Sequence, residues 1–160
     1  MKKNSGAILI EAILGITIAT IITTGLVTAL VSSLSNSTFS RGQTVATGYA
    51  QESIELMRSL KDVDYEYLQA NVGTCGSNCY FDLNRDADPL VSGIEHINDD
   101  SSGIDFDRSI TLSNANRNCD NSIYAEVNVS WQDSKCTGNA KCHKVTLKSC
   151  FSNLDYVKLP

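Results

Sequence analysis

Residues 7–40 carry a single formal charge, the carboxylate of Glu11, and Ile, Leu, Val, Ala and Thr fill most of the remaining positions. No other feature constrains the chain as strongly. A helix crosses a hydrocarbon core with ~20 apolar residues, and this run exceeds that. Lys2 and Lys3 precede it, and the next charge downstream is Arg41. That bias keeps the N-terminus in the cytoplasm and sends the chain beyond about Ser35 outside. A secretory signal peptide has an apolar region of roughly 7–15 residues followed by a small-residue cleavage site. Here the run is about twice as long and contains an acid. Since a lone carboxylate inside a bilayer costs roughly 2.5–3.5 kcal/mol, Glu11 needs a partner.

Gly6, the apolar residues that follow it and Glu11 together resemble the cleavage and methylation motif of type IV pilins and pseudopilins. The resemblance implies a prepilin peptidase that cuts between Gly6 and Ala7 and methylates the new N-terminus. Glu11 then becomes the fifth residue of the mature chain, where the family's glutamate pairs with the new amino group of a neighbouring subunit. Ile8, Leu9, Ile10, Ile13 and Leu14 become filament-core contacts. The implied partners are other pilin subunits, in a homo- or hetero-polymer, the peptidase, an inner-membrane assembly platform, and membrane lipid before assembly. The chain departs from the family in starting its mature form with Ala7 rather than Phe, and in lacking a proline within the helix. Gly15 and Gly25 supply local looseness instead, glycine weakening a helix by roughly 1 kcal/mol relative to Ala.

The expected organisation is a leader at 1–6, a transmembrane or filament-core helix at 7–34, its amphipathic continuation and a transition at 35–68, and a disulfide-stabilised, loop-rich β domain at 69–160. The polar residues 32–42 read either as a linker or as part of one continuous helix. Helical periodicity returns beyond them: Val45, Tyr49, Glu52/Ser53, Leu56 and Leu60 recur every three to four positions, with Ala46, Ala50, Ile54 and Met57 beside them. One helix with any bend near residues 35–42, roughly 80 Å long at 1.5 Å per residue, accounts for both halves. Its second half has one face available to a domain. Tyr65, Tyr67 and Leu68 are apolar enough to pack back on it.

Beyond Asn71 no helical period survives. Residues 107–113, 123–131 and 143–151 alternate apolar or β-branched side chains with polar ones, and Asn/Asp/Ser/Gly stretches separate them. In the second, Ile123, Ala125, Val127, Val129 and Trp131 share a face. The fold class expected is α+β: a long N-terminal helix whose second half carries a small antiparallel sheet of three strands. The pilin resemblance implies the same layout.

Six cysteines lie beyond the apolar run, Cys75, Cys79, Cys119, Cys136, Cys142 and Cys150. An even count in a loop-rich exterior domain favours disulfides, with 15 connectivities open from sequence. Closeness suggests Cys75–Cys79 and Cys136–Cys142, and strand adjacency suggests Cys119–Cys150. The rival is zinc, helped by His143 beside Cys142, although the spacings are not a regular zinc pattern. Asp82, Asn84, Asp86 and Asp88 place oxygens at alternate positions, as a calcium loop begins. That loop also wants a glycine sixth and a glutamate twelfth, where this chain has Ala87 and Gly93. Calcium is therefore the candidate ion, with Glu95, Asp99, Asp100, Asp105 and Asp107 able to complete a site. No G-x-S-x-G element or phosphate-binding glycine loop is present, and a non-enzyme is expected. The net charge of −5 argues against general nucleic-acid binding, which wants a basic face.

These readings converge on a pilin-like structural subunit, minor or major, stored in the cytoplasmic membrane and assembled into a filament for adhesion, motility or uptake. A secretion pseudopilin in the periplasm is the close alternative. A monomeric, membrane-anchored calcium- or ligand-binding module is the alternative of another class.

Overall fold

A computed structural model of the chain describes residues 5–82, 88–99, 103–114, 119, 122–138 and 141–153. The chain falls into two compact units, Met1–Thr38 and Phe39–Pro160. One α-helix, α1 (Ser5–Val63), supplies the first unit and the opening element of the second. The polar residues 32–42 are helical throughout, so they belong to one continuous helix.

In the first unit the helix is apolar on all sides. It is long and apolar enough to cross a membrane by length and composition. Threonine would be a poor residue here if its hydroxyl were left unpaired in lipid. Instead Thr17, Thr20, Thr23, Thr24 and Thr28 donate to backbone carbonyls three or four residues back, at 2.7–3.2 Å. Each hydroxyl is thereby satisfied within the helix, as an apolar solvent demands.

The second unit is α+β, with the later part of α1 laid on an antiparallel sheet. After Val63 the chain leaves the helix at Asp64, whose side chain accepts the Tyr67 N–H at 2.8 Å and caps a short helix, α2 (Tyr65–Ala70). A 3₁₀ turn (Thr74–Gly76) follows. Among the described residues the sheet has six strands: β1 (Cys79–Phe81), β2 (Leu90–Ser92), β3 (Glu95–Asp99), β4 (Ile104–Ser113), β5 (Ile123–Trp131) and β6 (His143–Phe151). The order is β2-β1-β4-β5-β6, with β3 also on β4. β1 meets β4 at Ile110, and β3 runs along residues 104–108 of the same strand. β5 and β6 have the bounds expected from their alternation, whereas β4 begins three residues earlier than expected. The three-stranded expectation missed β1 to β3. Two of these have only three residues, too few to display a period, and β3 (EHIND) is polar on its exposed face.

The core lies between this sheet and the later part of α1. β5 contributes Ile123, Ala125, Val127, Val129 and Trp131, all essentially buried, and β4 adds Ile104, Phe106, Ile110 and Leu112. On the helix, the buried ridge is Gly42, Ala46, Ala50, Ser53, Ile54 and Met57, while Val45, Tyr49, Leu56 and Leu60 flank it. The ridge thus begins with small residues and ends with the larger Ile54 and Met57, with further large apolar residues beside it. Small residues on the ridge let the sheet approach closely. At Gly42 the approach is closest, for a Cβ there would lie 2.6 Å from Trp131 Nε1.

Disulfides join Cys75 to Cys79, Cys119 to Cys150 and Cys136 to Cys142. The first brackets the 3₁₀ turn and the start of β1. The other two reach β6 and the residue just before it. Closing a loop across the 31-residue separation of Cys119 and Cys150 removes roughly 3–4 kcal/mol of unfolded-state freedom.

Candidate functional site

The residues anticipated for processing and assembly all fall in the first unit. Gly6 and Glu11 are exposed, and Ala7 lies within α1. Ile8, Leu9, Ile10, Ile13 and Leu14 are each more than half exposed, and Ile16, Ile18, Ile21, Ile22, Leu26, Val27, Leu30, Val31 and Leu34 continue the apolar surface. Covering a large aliphatic side chain is worth about 1.5–3 kcal/mol relative to water. An exposed apolar surface of this size is consistent with a membrane-anchoring or signal segment. Glu11 is the one acidic side chain along that surface.

Of the candidate calcium residues, Asp82 and Asp88 are described, and Asn84 and Asp86 lie outside the described residues. The Asp82 N–H donates to the Pro89 carbonyl at 2.8 Å, and Asp88 accepts the Tyr67 hydroxyl, which itself accepts the Leu90 N–H at 3.3 Å. Two acids suggested to complete the site are engaged with cations. Glu95 lies 2.7 Å from Arg108, and Asp107 lies 2.6 Å from Lys141 and 2.5 Å from His96. Asp100 lies outside the described residues.

Arg108 was not anticipated. It occupies a core position of β4, 4 % exposed, in the same row as Phe106 and Ile110. Its Nε donates to Glu95 on β3 at 2.7 Å, and Nη1 donates to Glu52 of α1 at 2.7 Å and to the Tyr49 carbonyl at 3.2 Å. The guanidinium also lies 5.9 Å from the centre of the Tyr49 ring. Burial alone would favour the uncharged form, but the bonds to Glu95 and Glu52 outweigh it and push the Arg108 pKa up. The signal was legible, because a period of two puts Arg108 on the face of Ile110 and Leu112. The group ties helix, edge strand and central strand through one cation.

A second unanticipated grouping sits where β5 gives way to β6. Asp133, Cys136, Cys142 and His143 bring their donor atoms within 4.8 Å of one another. The Asp133 side chain is only 3 % exposed and accepts the Lys135 N–H at 2.8 Å. A turn bond from the Cys136 N–H to the Asp133 carbonyl, 3.1 Å, fixes the two side chains relative to each other. The His143 ring packs edge-on against Phe39 and beside Trp131. Its Nε2 lies 2.9 Å from Asp133 Oδ1. Burial raises the Asp133 pKa, but His143 and the Lys135 N–H reverse that and hold it below its ordinary value. His143, Cys142 and Cys136, six residues before Cys142, belonged to the zinc rival, and the fold adds Asp133 to them. The set is sulfur- and nitrogen-rich, unlike the all-oxygen cage that calcium takes.

No protein-family model, curated protein or solved structure matches the chain.

Proposed function

We propose that the chain is a type IV pilin-like subunit whose first unit is a polymerisation helix and whose second unit is the domain that the filament displays. One observation carries this reading: a membrane-length helix, exposed on every side, whose single acid stands five positions after Gly6. A plain tether needs apolarity but has no use for a carboxylate in the span. Cleavage after Gly6 would create an ammonium at Ala7, and that charge on a neighbouring copy offsets the roughly 2.5–3.5 kcal/mol that Glu11 costs in lipid. Assembly is then an exchange of solvents. Apolar helices leave lipid for one another, and the Glu11 pairing selects their register. The back-bonded threonines suit both surroundings, since they ask nothing of either.

The α+β layout of the second unit supports the same reading, because a sheet carried on the continuation of the apolar helix is the arrangement that the motif implies. Under this proposal the chain resides in the cytoplasmic membrane with its N-terminus inside, and its partners are a prepilin peptidase, an assembly platform and further subunits. Intact mass and N-terminal sequencing, with and without an active peptidase, test it. A mature chain beginning at Ala7, with or without a methyl group, is the expected product. Residues 1–6 still attached in the presence of active peptidase would overturn the proposal in favour of a simple anchor.

A further inference from the structure

Asp133, Cys136, Cys142 and His143 are the ligand types of a small zinc centre, gathered from one turn and the start of one strand. Zinc bonds of ~2.0–2.3 Å in a tetrahedron place neighbouring donors roughly 3.3–3.8 Å apart, and these donors already lie within 4.8 Å of one another. Two of them are joined as the Cys136–Cys142 disulfide. We propose that this corner is a redox-gated zinc site. The closed disulfide excludes the ion. The opened pair, with the Asp133 carboxylate and the His143 imidazole, binds Zn²⁺ through two sulfurs, one nitrogen and one oxygen.

Three features support the assignment. The donors are of mixed softness, which suits zinc, whereas calcium takes six to eight oxygens. The ligands are also preset: the Lys135 N–H orients the Asp133 carboxylate, and Phe39 and Trp131 fix the His143 ring. Outer contacts of this kind tune metal affinity. Finally, His143 Nε2 and Asp133 Oδ1 already face each other at 2.9 Å, so two of the four donors converge on one point.

The chemistry balances as follows. A dithiol reductant passes two electrons and two protons to the Cys136–Cys142 bond. The S–S bond breaks, two thiols form, and the dithiol closes to its own disulfide. Zn²⁺ then displaces both thiol protons to solvent as two S–Zn bonds form. Reoxidation by a disulfide oxidant, which takes up the two electrons and two protons and becomes a dithiol, re-forms the S–S bond and releases Zn²⁺, so each state excludes the other.

The test uses the full chain in detergent micelles, with Co²⁺ as a coloured stand-in for Zn²⁺. Cys142→Ser opens the site without reductant and leaves the other two disulfides in place. It is expected to bind one equivalent of Co²⁺ with a thiolate-to-metal charge-transfer band that Zn²⁺ abolishes. The oxidised wild type should show no such band. Adding His143→Gln or Asp133→Asn to Cys142→Ser should remove it. A band that survives both added substitutions would overturn the proposal. Because Cys142→Ser lacks one of the four donors, the wild type reduced with a phosphine, which keeps all four, gives the decision. The expected result is tetrahedral Co²⁺ absorption, lost in His143→Gln. A reduced chain that neither shows this absorption nor regains structure on adding Zn²⁺ refutes the site.

Discussion

Helix α1 solves two different problems on either side of Thr38. In the first unit its large side chains, Ile8 to Leu34, all face outward, and the helix has no inside. In the second unit the buried face begins with small residues, Gly42, Ala46, Ala50 and Ser53, and ends with Ile54 and Met57. The first stretch is specified by composition, because any apolar residue serves in an apolar solvent. The second is specified by size, because a close-packed contact tolerates little change in volume. The same backbone geometry can thus be read by two rules, and substitutions should separate them.

The largest expected effect falls on the first rule. Glu11→Ala should abolish surface filaments while the membrane-bound, processed subunit persists at wild-type level, read by shearing and immunoblot. The second unit's thermal unfolding should not move, since Glu11 lies outside it. Filaments at normal abundance would remove the charge pairing from the mechanism.

Next comes Arg108→Met, which leaves Glu52 and Glu95 facing each other without their cation. Removing one partner of a buried ion pair costs ~3–5 kcal/mol. Both carboxylates reach water, Glu52 at 48 % and Glu95 at 25 % exposure, so the loss should fall at or below that range. Denaturant unfolding in micelles reads it, and filament formation tests whether the effect stays in the second unit.

Paired glycine substitutions sharpen the comparison most directly. Gly42→Ala drives a methyl into the Trp131 indole, 2.6 Å from Nε1, and should cost ~1–3 kcal/mol as overpacking. Gly25→Ala meets nothing within 4 Å and should strengthen the helix by roughly 0.5–1 kcal/mol. Equal effects at the two positions would erase the distinction between the two stretches.

The smallest effect is on acid stability. Burial raises the Asp107 pKa, but hydrogen bonds from Lys141 and His96 reverse this and place it below its ordinary 3.8. A carboxyl with a depressed folded pKa stabilises the fold above its unfolded value, and that contribution disappears as pH falls through the lower, folded value. Unfolding midpoints should therefore drop below about pH 4, and Asp107→Asn should flatten this limb by ~1 kcal/mol or less. An unchanged acid limb would show that the trio has no energetic role.

What could be read from the chain followed the length of each pattern. Nine alternating residues from Ile123 to Trp131 announce a half-buried strand, and the uncharged run announces the apolar helix. The helix contact was legible to within one residue: Val45, Tyr49, Leu56 and Leu60 flank the buried ridge, and Ala46, Ala50, Ile54 and Met57 beside them form it. β1 and β2 owe their existence to pairing partners, Cys79 with Ile110 and Phe81 with Leu90, so three residues in isolation could not declare them. The Asp133 corner was partly legible. Cys136, Cys142 and His143 are close in sequence, but only the turn at Asp133–Cys136 brings the carboxylate to them.

β6 closes one side of the sheet, and a terminal strand is the piece that neighbouring copies can trade. Here its C-terminal half is tied by Cys150 to Cys119, and the residue before its start, Cys142, is tied to Cys136. Lys144 and Lys148 lie exposed between the two ties. To be traded, the strand would first have to peel away, and the covalent ties at both ends oppose it while like charges discourage zipping with a twin. Should copies assemble as proposed, each oxidised chain keeps its own β6.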